Sequence, residues 1–225
     1  MYDYNFKRVE EKYLLQASLK EKFLFKISDY IDKDKFFISN IHNICVDTDN
    51  NDLFINLLDK PLFKNKFRAR YYGEGNEVFL ETKIKYNGIV SKRRFKLQID
   101  DFNQYMKGNL NIYNQIFKEI DYYFKYYNLK PVIYIAYDRE SYKGKNSDLR
   151  ITFDSNLRSR RNDLVFKKST KMDNYFDEDY YIMEIKSMLS MPMWLVRILS
   201  ELNNKPVSFS KYGKIYKKER GMIYV

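Results

Sequence analysis

Apolar and polar residues alternate with a period of two along much of the chain, and VFLETKIKYNGIVSKRRFKL at positions 78–97 shows the pattern clearly. This period is typical of β-strands, because successive side chains point to opposite faces of a strand. Asn87 and Gly88 form a turn signal between the two halves, so the stretch is predicted to be a hairpin. One face of this hairpin is apolar, whereas the other carries charges of both signs. Such a charged face needs an explanation.

The same pattern predicts strands elsewhere, and apolar residues at helical spacing predict helices between them. The further strand segments are residues 6–15, 36–49 (one or two strands), 65–73, 130–142, 148–160, 180–188 and 206–217. The helical segments are residues 18–31, 51–60, 100–128 with a break near Gly108, and 191–203 with Pro192 in the first turn. The sequence contains no repeat, low-complexity tract or linker, which predicts one domain over residues 1–225.

Most of the predicted strands carry charged or polar residues on one face. In chain order these sets are Arg8, Glu10 and Lys12; Lys66, Arg68 and Arg70; Glu81, Lys83 and Lys85; Lys92, Arg94 and Lys96; Arg139; Arg150, Thr152 and Asp154; Glu184 and Lys186; and Ser208, Ser210 and Tyr212 beside Lys211. In one arrangement, an open antiparallel sheet packs helices on one side and exposes the charged face to solvent. In the other, the sheet curls and the charged faces meet inside a barrel.

The prominence of arginine favours the second arrangement, since arginine makes bidentate contacts to phosphate. Crowded like charges in an interior need counter-charge, which a chain of phosphates with metal ions would supply. The predicted fold class is therefore α+β, with an antiparallel β-barrel of about eight strands that forms a polar tunnel and is flanked by helices.

Composition agrees with a polyanionic partner. The 225 residues include 41 Lys and Arg against 30 Asp and Glu, a formal net charge of +11. Such an excess suggests nucleic acid, phosphates or an acidic membrane, although a biased coding composition would also produce it. With one cysteine, no signal-peptide pattern and no run long enough to span a bilayer, the chain is expected to be cytoplasmic, with peripheral membrane contact left open.

Seven stretches, in register over nearly the whole chain, resemble the polyphosphate polymerase domain of vacuolar transporter chaperone (VTC) proteins, a branch of the CYTH or triphosphate tunnel fold. They are RVEEKYLL, FRARYYG, VFLETKIKYNGIVSKRRFKL, YDRESY, LRITFDSNLRSR, MEIKS and SFSKY. The resemblance implies a tunnel that binds triphosphate, metal and polyphosphate, and transfer of the terminal phosphoryl group of ATP to the polyphosphate chain. It implies Mn²⁺ or Mg²⁺ as cofactor, ATP and polyphosphate as partners, and no sequence-specific nucleic acid.

The resemblance also implies residue roles. The catalytic set is Lys12, Arg68, Arg70, Lys83, Arg94, Arg139, Arg150 and Lys211. The further substrate-binding set is Arg8, Lys85, Lys92, Arg158, Lys186 and Tyr212. Glu184 matches the metal-binding glutamate, with Glu81 and Glu10 as weaker candidates for the same metal.

Two other functions stay open. One is a tunnel-fold triphosphatase that hydrolyses tripolyphosphate or a nucleoside triphosphate, and the other is a non-catalytic binder of polyphosphate or nucleic acid. The wider fold often opens with ExExK, whose carboxylates bind metal in hydrolases, whereas this chain has RVEEK with Arg8 at the first position. This departure weakens the hydrolase interpretation. A P-loop route to ATP is disfavoured because GxxxxGK[ST] is absent.

Overall fold

A computed structural model describes residues 8–58, 62–73, 75–87, 89–166, 173–174, 179–188 and 190–221. Its elements, in chain order, are β1 (Arg8–Gln16), α1 (Ala17–Ile27), β2 (Ile31–Asp47), α2 (Asp52–Leu58), β3 (Phe63–Tyr72), β4 (Glu77–Tyr86), β5 (Ile89–Gln98), α3 (Ile99–Met106), α4 (Gln115–Tyr126), β6 (Lys130–Gly144), β7 (Arg150–Arg160), β8 (Asp173–Asn174), β9 (Tyr180–Met188), α5 (Met193–Glu201) and α6 (Lys211–Glu219).

Eight of the strands form one sheet in the order β1-β9-β7-β6-β2-β3-β4-β5, and the short β8 pairs with β7 outside this order. Sequential neighbours such as β3, β4 and β5 pair antiparallel, as short connections require. The predicted α+β class with an antiparallel sheet of about eight strands is confirmed. In the part of the chain that the structure describes, β1 and β5 stand at the two ends of the hydrogen-bonded order.

The chain divides into two compact units. The first comprises residues 1–40, 137–157 and 174–225, and the second comprises residues 41–136 and 158–173. Strands β2, β6 and β7 each contribute residues to both units. The prediction of one domain over the whole chain stays a prediction.

Each unit has a hydrophobic core of its own, built from the apolar faces of its strands and helices. In the first unit, Phe23 of α1 and Leu195 of α5 pack against strand residues such as Phe153. In the second unit, Phe102 of α3 and Phe117 of α4 pack against the apolar side of β3, β4 and β5. The alternation that predicted the strands therefore also identifies which face is buried.

The helices follow the predicted pattern with shorter bounds. The first predicted helix ends at Ile27, and Ile31 already begins β2. The predicted break near Gly108 is confirmed, because α3 ends at Met106 and Gly108 has φ of +79°, a conformation that suits glycine after a helix. Asn114 caps α4, since its side chain accepts hydrogen bonds from the backbone of the first turn.

The strand predicted at residues 206–217 is wrong. Residues 204–210 have no regular structure, and α6 begins at Lys211. The Ser210 side chain accepts a hydrogen bond from the Gly213 backbone nitrogen, which is an N-cap, and Ile215 and Tyr216 are buried one turn later. A capping serine followed by buried residues at helical spacing outweighed the period-two alternation at Val207 and Ser208.

Candidate functional site: two clusters of paired charges

Strands β3, β4 and β5 align their charged residues in rows across the sheet. Lys66 lies opposite Lys83, and Lys83 lies opposite Lys92. The next row towards the β4–β5 turn contains Lys64 opposite Lys85. Like charges directly opposite each other destabilise a pair of strands, so these rows favour a bound anion.

The third row contains the only carboxylate among these facing positions. Arg68 lies opposite Glu81, which in turn lies opposite Arg94. Glu81 is only 3% exposed. Arg68 places Nε and Nη2 at 2.7 Å from Oε2 of Glu81, and Arg94 places Nε at 2.7 Å from Oε1. Lys92 Nζ lies 3.2 Å from Oε1.

These cations keep Glu81 ionised although it is buried. Burial alone would raise the pKa of the Glu81 carboxyl, but Arg68, Arg70 and Lys92 outweigh it and lower the pKa to about 2. Arg70 is held beside them by Asn43, whose Oδ1 accepts from Arg70 Nε at 2.8 Å. We call Glu81 with Arg68, Arg70, Lys92 and Arg94 the Glu81 cluster. It contains four cations and one carboxylate.

A second set of paired charges lies in the first unit and is built around Asp154 of β7. Asp154 is 1% exposed and accepts a bidentate pair from Arg139, with Nε at 2.5 Å and Nη2 at 2.7 Å. Lys211 Nζ donates to Asp154 Oδ2 at 2.6 Å. Burial alone would raise the pKa of the Asp154 carboxyl, but Lys211 and Arg139 hold it below its usual range. The ring of Tyr137 lies 5.4 Å from Arg139 Cζ and 4.4 Å from Lys211 Nζ.

Glu184 of β9 continues this set. Lys186 Nζ lies 2.5 Å from Oε1 of Glu184, and Arg139 Nη2 lies 3.9 Å from Oε2. Burial would raise the pKa of the Glu184 carboxyl, but the nearby charges of Lys186 and Lys12 lower it well below its usual range. Lys12 Nζ lies 4.0 Å from Glu10 Oε1.

We call this second set the Asp154–Glu184 cluster. Its members are the carboxylates Asp154, Glu184 and Glu10 and the cations Arg139, Lys211, Lys186 and Lys12, so four cations meet three carboxylates.

The remaining predicted residues occupy other positions. Arg150 is half exposed and pairs with Asp34, Nη2 to Oδ2, at 3.1 Å. Tyr212 lies in α6 rather than on a strand face, with its ring against Tyr216. Arg158 is half-buried in β7. Arg8 lies in β1 opposite Met188, but its side chain is outside the described residues. The roles implied for all these residues stay predictions.

Sequence reasoning assigned no role to Asp154 or Thr152, although both share the charged face of β7 with Arg150. Asp154 is the carboxylate that positions Arg139 and Lys211. Thr152 lies opposite Glu184, and its buried Oγ1 has no hydrogen-bond partner among the described residues. The period-two spacing from Arg150 is the sequence signal that points to both residues.

The residues of the Asp154–Glu184 cluster fit a divalent cation that is shared with a substrate. Among the residues that the structure describes, no group of three or more His, Cys, Asp or Glu side chains has the arrangement of a complete metal site. Mg²⁺-type sites instead combine one or two carboxylates with substrate phosphates. Glu184 and Glu10 lie within hydrogen-bonding reach of each other, and the unpartnered hydroxyl of Thr152 lies opposite Glu184. Glu81 fits less well, because three cations already contact it.

Comparison with known families identifies the chain. The model of the VTC domain matches residues 7–219. The chain belongs to the VTC domain family. The resemblance inferred from the seven sequence stretches is therefore confirmed for the family. No curated protein sequence matches this VTC domain. None of its described helices is long and apolar enough to cross a bilayer.

Several solved structures are similar to this VTC domain in fold. A Hippeastrum protein, described as a candidate adenylyl cyclase with a dominant triphosphatase activity, is 16% identical, with 96% of this chain and 97% of that chain covered and a TM-score of 0.56. A candidate adenylate cyclase from Bacillus halodurans is 10% identical, with 90% and 93% covered and a TM-score of 0.54. Another from Vibrio parahaemolyticus is 11% identical, with 93% and 97% covered and a TM-score of 0.53. At these identities the likeness shows the fold alone, which is the CYTH or triphosphate tunnel fold.

Proposed function

We propose that this VTC domain is a divalent-metal-dependent polyphosphate polymerase. It would transfer the terminal phosphoryl group of ATP to the end of a growing polyphosphate chain and release ADP. We also propose that it acts in the cytoplasm, with ATP and polyphosphate as its partners.

The cation rows of β3, β4 and β5 carry this proposal. Seven basic residues lie at aligned positions in three successive rows, where Glu81 is the one carboxylate among the paired residues: Lys64, Lys66, Arg68, Lys83, Lys85, Lys92 and Arg94. A single phosphate would neutralise one row, whereas a linear chain of phosphates would run along the strands and contact all three. Both residue types suit a phosphate chain. An arginine can donate hydrogen bonds to two phosphate oxygens at once, and a lysine supplies a compact positive charge.

Phosphoryl transfer depends mainly on positioning and on stabilising charge, and the protein supplies both. In the Glu81 cluster, Arg68 and Arg94 are already oriented by Glu81, so little side-chain freedom is lost when they bind phosphate oxygens. Asp154 orients Arg139 and Lys211 in the same way. The attacking terminal phosphate of the chain is already ionised, so no strong general base is needed.

A divalent ion, Mn²⁺ or Mg²⁺, would be held by Glu184 and Glu10. When bound, it would neutralise the charge on neighbouring phosphate oxygens. Lys186 would then release Glu184, since one carboxylate oxygen cannot serve the ammonium and the ion equally well. The hydroxyl of Thr152 would donate a hydrogen bond to one of these phosphate oxygens.

A second candidate is a triphosphatase in which water replaces the polyphosphate chain as acceptor. The proximity of Glu10 to Glu184 favours this candidate, because it places two acidic residues together although Arg8 occupies the first position of the hydrolase motif. The similar structure from Hippeastrum, whose description names a triphosphatase activity, also favours this candidate.

Incubating the purified protein with ATP and Mn²⁺ separates the candidates. Long chains on a gel stained for polyphosphate support the polymerase, and free phosphate without chains supports the triphosphatase. Unchanged ATP contradicts both and leaves a non-catalytic binder of polyphosphate.

Substitution of Glu184 tests the proposed metal site. Glu184→Gln should abolish turnover and weaken Mn²⁺ binding, measured by calorimetry in the presence of a nonhydrolysable ATP analogue. Glu140→Gln is the matched control, since Glu140 pairs with Lys20 away from the cluster and its loss should leave Mn²⁺ binding unchanged. Normal metal-dependent turnover in Glu184→Gln would contradict the assignment.

A further inference from the structure

Tyr72 brings a hydroxyl group to the charged face of β3. It follows Arg68 and Arg70 at a spacing of two residues, so the three side chains point to the same face of the strand. The resemblance to VTC proteins implied roles for Arg68 and Arg70 of the stretch FRARYYG but none for Tyr72. Arg70 Nη1 donates to the Tyr72 hydroxyl oxygen at 3.3 Å, and Arg94 Nη2 donates to it at 3.5 Å. The hydroxyl therefore joins two cations of the Glu81 cluster, one from β3 and one from β5.

Aromatic contacts hold this hydroxyl in place. The half-buried ring of Tyr72 packs edge-on against Phe79 of β4, with 5.8 Å between the ring centres. Arg94 Cζ lies 4.9 Å from the centre of the Phe79 ring, and Arg70 Cζ lies 5.7 Å from the centre of the Tyr72 ring. Guanidinium groups are attracted to the faces of aromatic rings. The two rings thus position both guanidinium groups around the Tyr72 oxygen.

The hydrogen-bond pattern leaves the proton of the Tyr72 hydroxyl without an acceptor. A guanidinium group only donates hydrogen bonds, so neither Arg70 nor Arg94 can accept this proton. Within the part of the chain that the structure describes, the hydroxyl makes no hydrogen bond besides those two. A ligand oxygen at this point would meet donors from all three side chains. The matching ligand atom is a nonbridging phosphate oxygen, since it is an anionic acceptor.

We propose that Tyr72 is a further phosphate-binding residue, whose hydroxyl donates a hydrogen bond to a phosphate oxygen that Arg70 and Arg94 also contact. This contact rests on the proposed function, in which the Glu81 cluster binds a phosphate chain. It adds one condition to that function, because the hydroxyl must keep its proton. When Tyr72 ionises, the donor is lost and a negative charge faces the phosphate. The affinity of the site for phosphate chains should therefore fall as the pH rises.

The charges around Tyr72 favour its ionisation. The charged groups that share its face come from three strands: Arg70 of β3, Glu77 and Glu81 of β4, and Arg94 and Lys96 of β5. From β2, the uncharged Ile41 lies opposite Tyr72. Burial alone would raise the pKa of the Tyr72 hydroxyl, but Arg70 and Arg94 outweigh both burial and Glu81 and lower the pKa below its ordinary value. The loss of affinity should thus begin at a lower pH than an ordinary tyrosine would cause.

Calorimetry with tripolyphosphate tests the contact. Tyr72→Phe keeps the ring and removes only the hydroxyl, and it should bind tripolyphosphate about tenfold more weakly than the unchanged protein at neutral pH. Tyr71→Phe is the matched control, because it loses the same group from the opposite face of β3, where the Tyr71 ring packs against Phe166. This control should bind as the unchanged protein does. Thermal unfolding checks that both variants are folded.

A pH series from about 7 to 9.5 gives a second readout. The ratio of the affinity of the unchanged protein to that of Tyr72→Phe should decrease as the pH rises, because only the unchanged protein ionises at this position. Titration of lysines and of tripolyphosphate itself affects both proteins alike and leaves the ratio unchanged.

The outcomes separate this contact from the proposed function. If the unchanged protein does not bind tripolyphosphate, the proposed function fails and the contact fails with it. If the unchanged protein binds tripolyphosphate and Tyr72→Phe binds it equally well, only the contact is overturned. A weaker variant with a constant ratio would also overturn the contact, since the hydroxyl would then act only by orienting the arginines.

Discussion

The two charge clusters of this VTC domain differ in the balance of their positive and negative side chains, and this difference distinguishes the roles that we propose for them. The Glu81 cluster has four cations and one carboxylate, whereas the Asp154–Glu184 cluster has four cations and three carboxylates. A cation excess on facing strands favours an anionic ligand, while a nearly balanced set holds its members in fixed positions without one. We infer that the first cluster binds the phosphate chain and that the second positions reacting groups and metal.

Loss of the central carboxylate of the balanced cluster should have the largest effect. Asp154→Asn would leave Arg139 and Lys211 buried without their counter-charge, and should lower the free energy of unfolding by about 3–5 kcal/mol. Urea denaturation measures this change. Asp34→Asn is the control, since Asp34 pairs with the half-exposed Arg150, and it should cost less than about 1 kcal/mol. Equal costs would contradict the structural role of Asp154.

Acid should remove the stabilisation that Glu81 provides. The pKa of Glu81 is lowered from 4.5 to about 2 in the folded protein, so its contribution is present in full above its unfolded pKa. That contribution, about 2–3 kcal/mol after partial screening by solvent, is lost as the pH falls from the unfolded pKa through the folded one. The carboxyls of Asp154 and Glu184 shift in the same direction.

The free energy of unfolding of the unchanged protein and of Glu81→Gln, at neutral pH and at about pH 3, measures this effect. The variant should lose less stability between the two conditions. An identical decline in both proteins would show that Glu81 does not contribute to the acid sensitivity.

Two adjacent arginines of β5 test anion binding in the cation-rich cluster. Arg94 contacts Glu81, whereas Arg93 lies on the opposite face and pairs with Glu119 at 3.0 Å. Arg94→Ala should weaken tripolyphosphate binding by about 10- to 100-fold, as expected for a charged hydrogen-bonding group. Arg93→Ala removes the same charge and should weaken it by less than about threefold. Calorimetry gives both affinities, and equal losses would mean that only net charge matters.

The smallest predicted effect is a change in the stability of the ligand-free protein, and it has opposite signs in the two clusters. Lys83→Ala should stabilise the ligand-free protein by about 0.2–1 kcal/mol, because it relieves repulsion with Lys66 and Lys92. Lys186→Ala should instead destabilise it, since Glu184 would lose its nearest cation. Melting temperatures without ligand compare the two variants. Destabilisation by Lys83→Ala would contradict the proposed crowding.

The sequence predicts which residues share a face but not which residues pair. Period-two spacing correctly places Arg68, Glu81 and Arg94 on charged strand faces, because side-chain direction follows directly from the backbone repeat. Their contact depends on strand register, which a single sequence does not define. The same limit explains why the role of Asp154 was not recognised, since Arg139 and Lys211 are distant in the chain.

Local chemistry also competes with alternation near the C-terminal helix. Residues 206–210 alternate like a strand, but the Ser210 cap starts α6 and places Lys211 at its first position. Lys211 nevertheless reaches Asp154 from this helix, and its predicted role in phosphate binding stays a prediction. A long lysine side chain tolerates such a difference in backbone because it has four rotatable bonds.

A crystal structure with bound tripolyphosphate tests the central claim most directly. We predict phosphate oxygens within hydrogen-bond distance of Arg68 and Arg94, with further phosphates along the row of Lys66, Lys83 and Lys92. Tripolyphosphate bound elsewhere, with Arg68 and Arg94 still paired only with Glu81, would contradict the assignment of the Glu81 cluster to the phosphate chain.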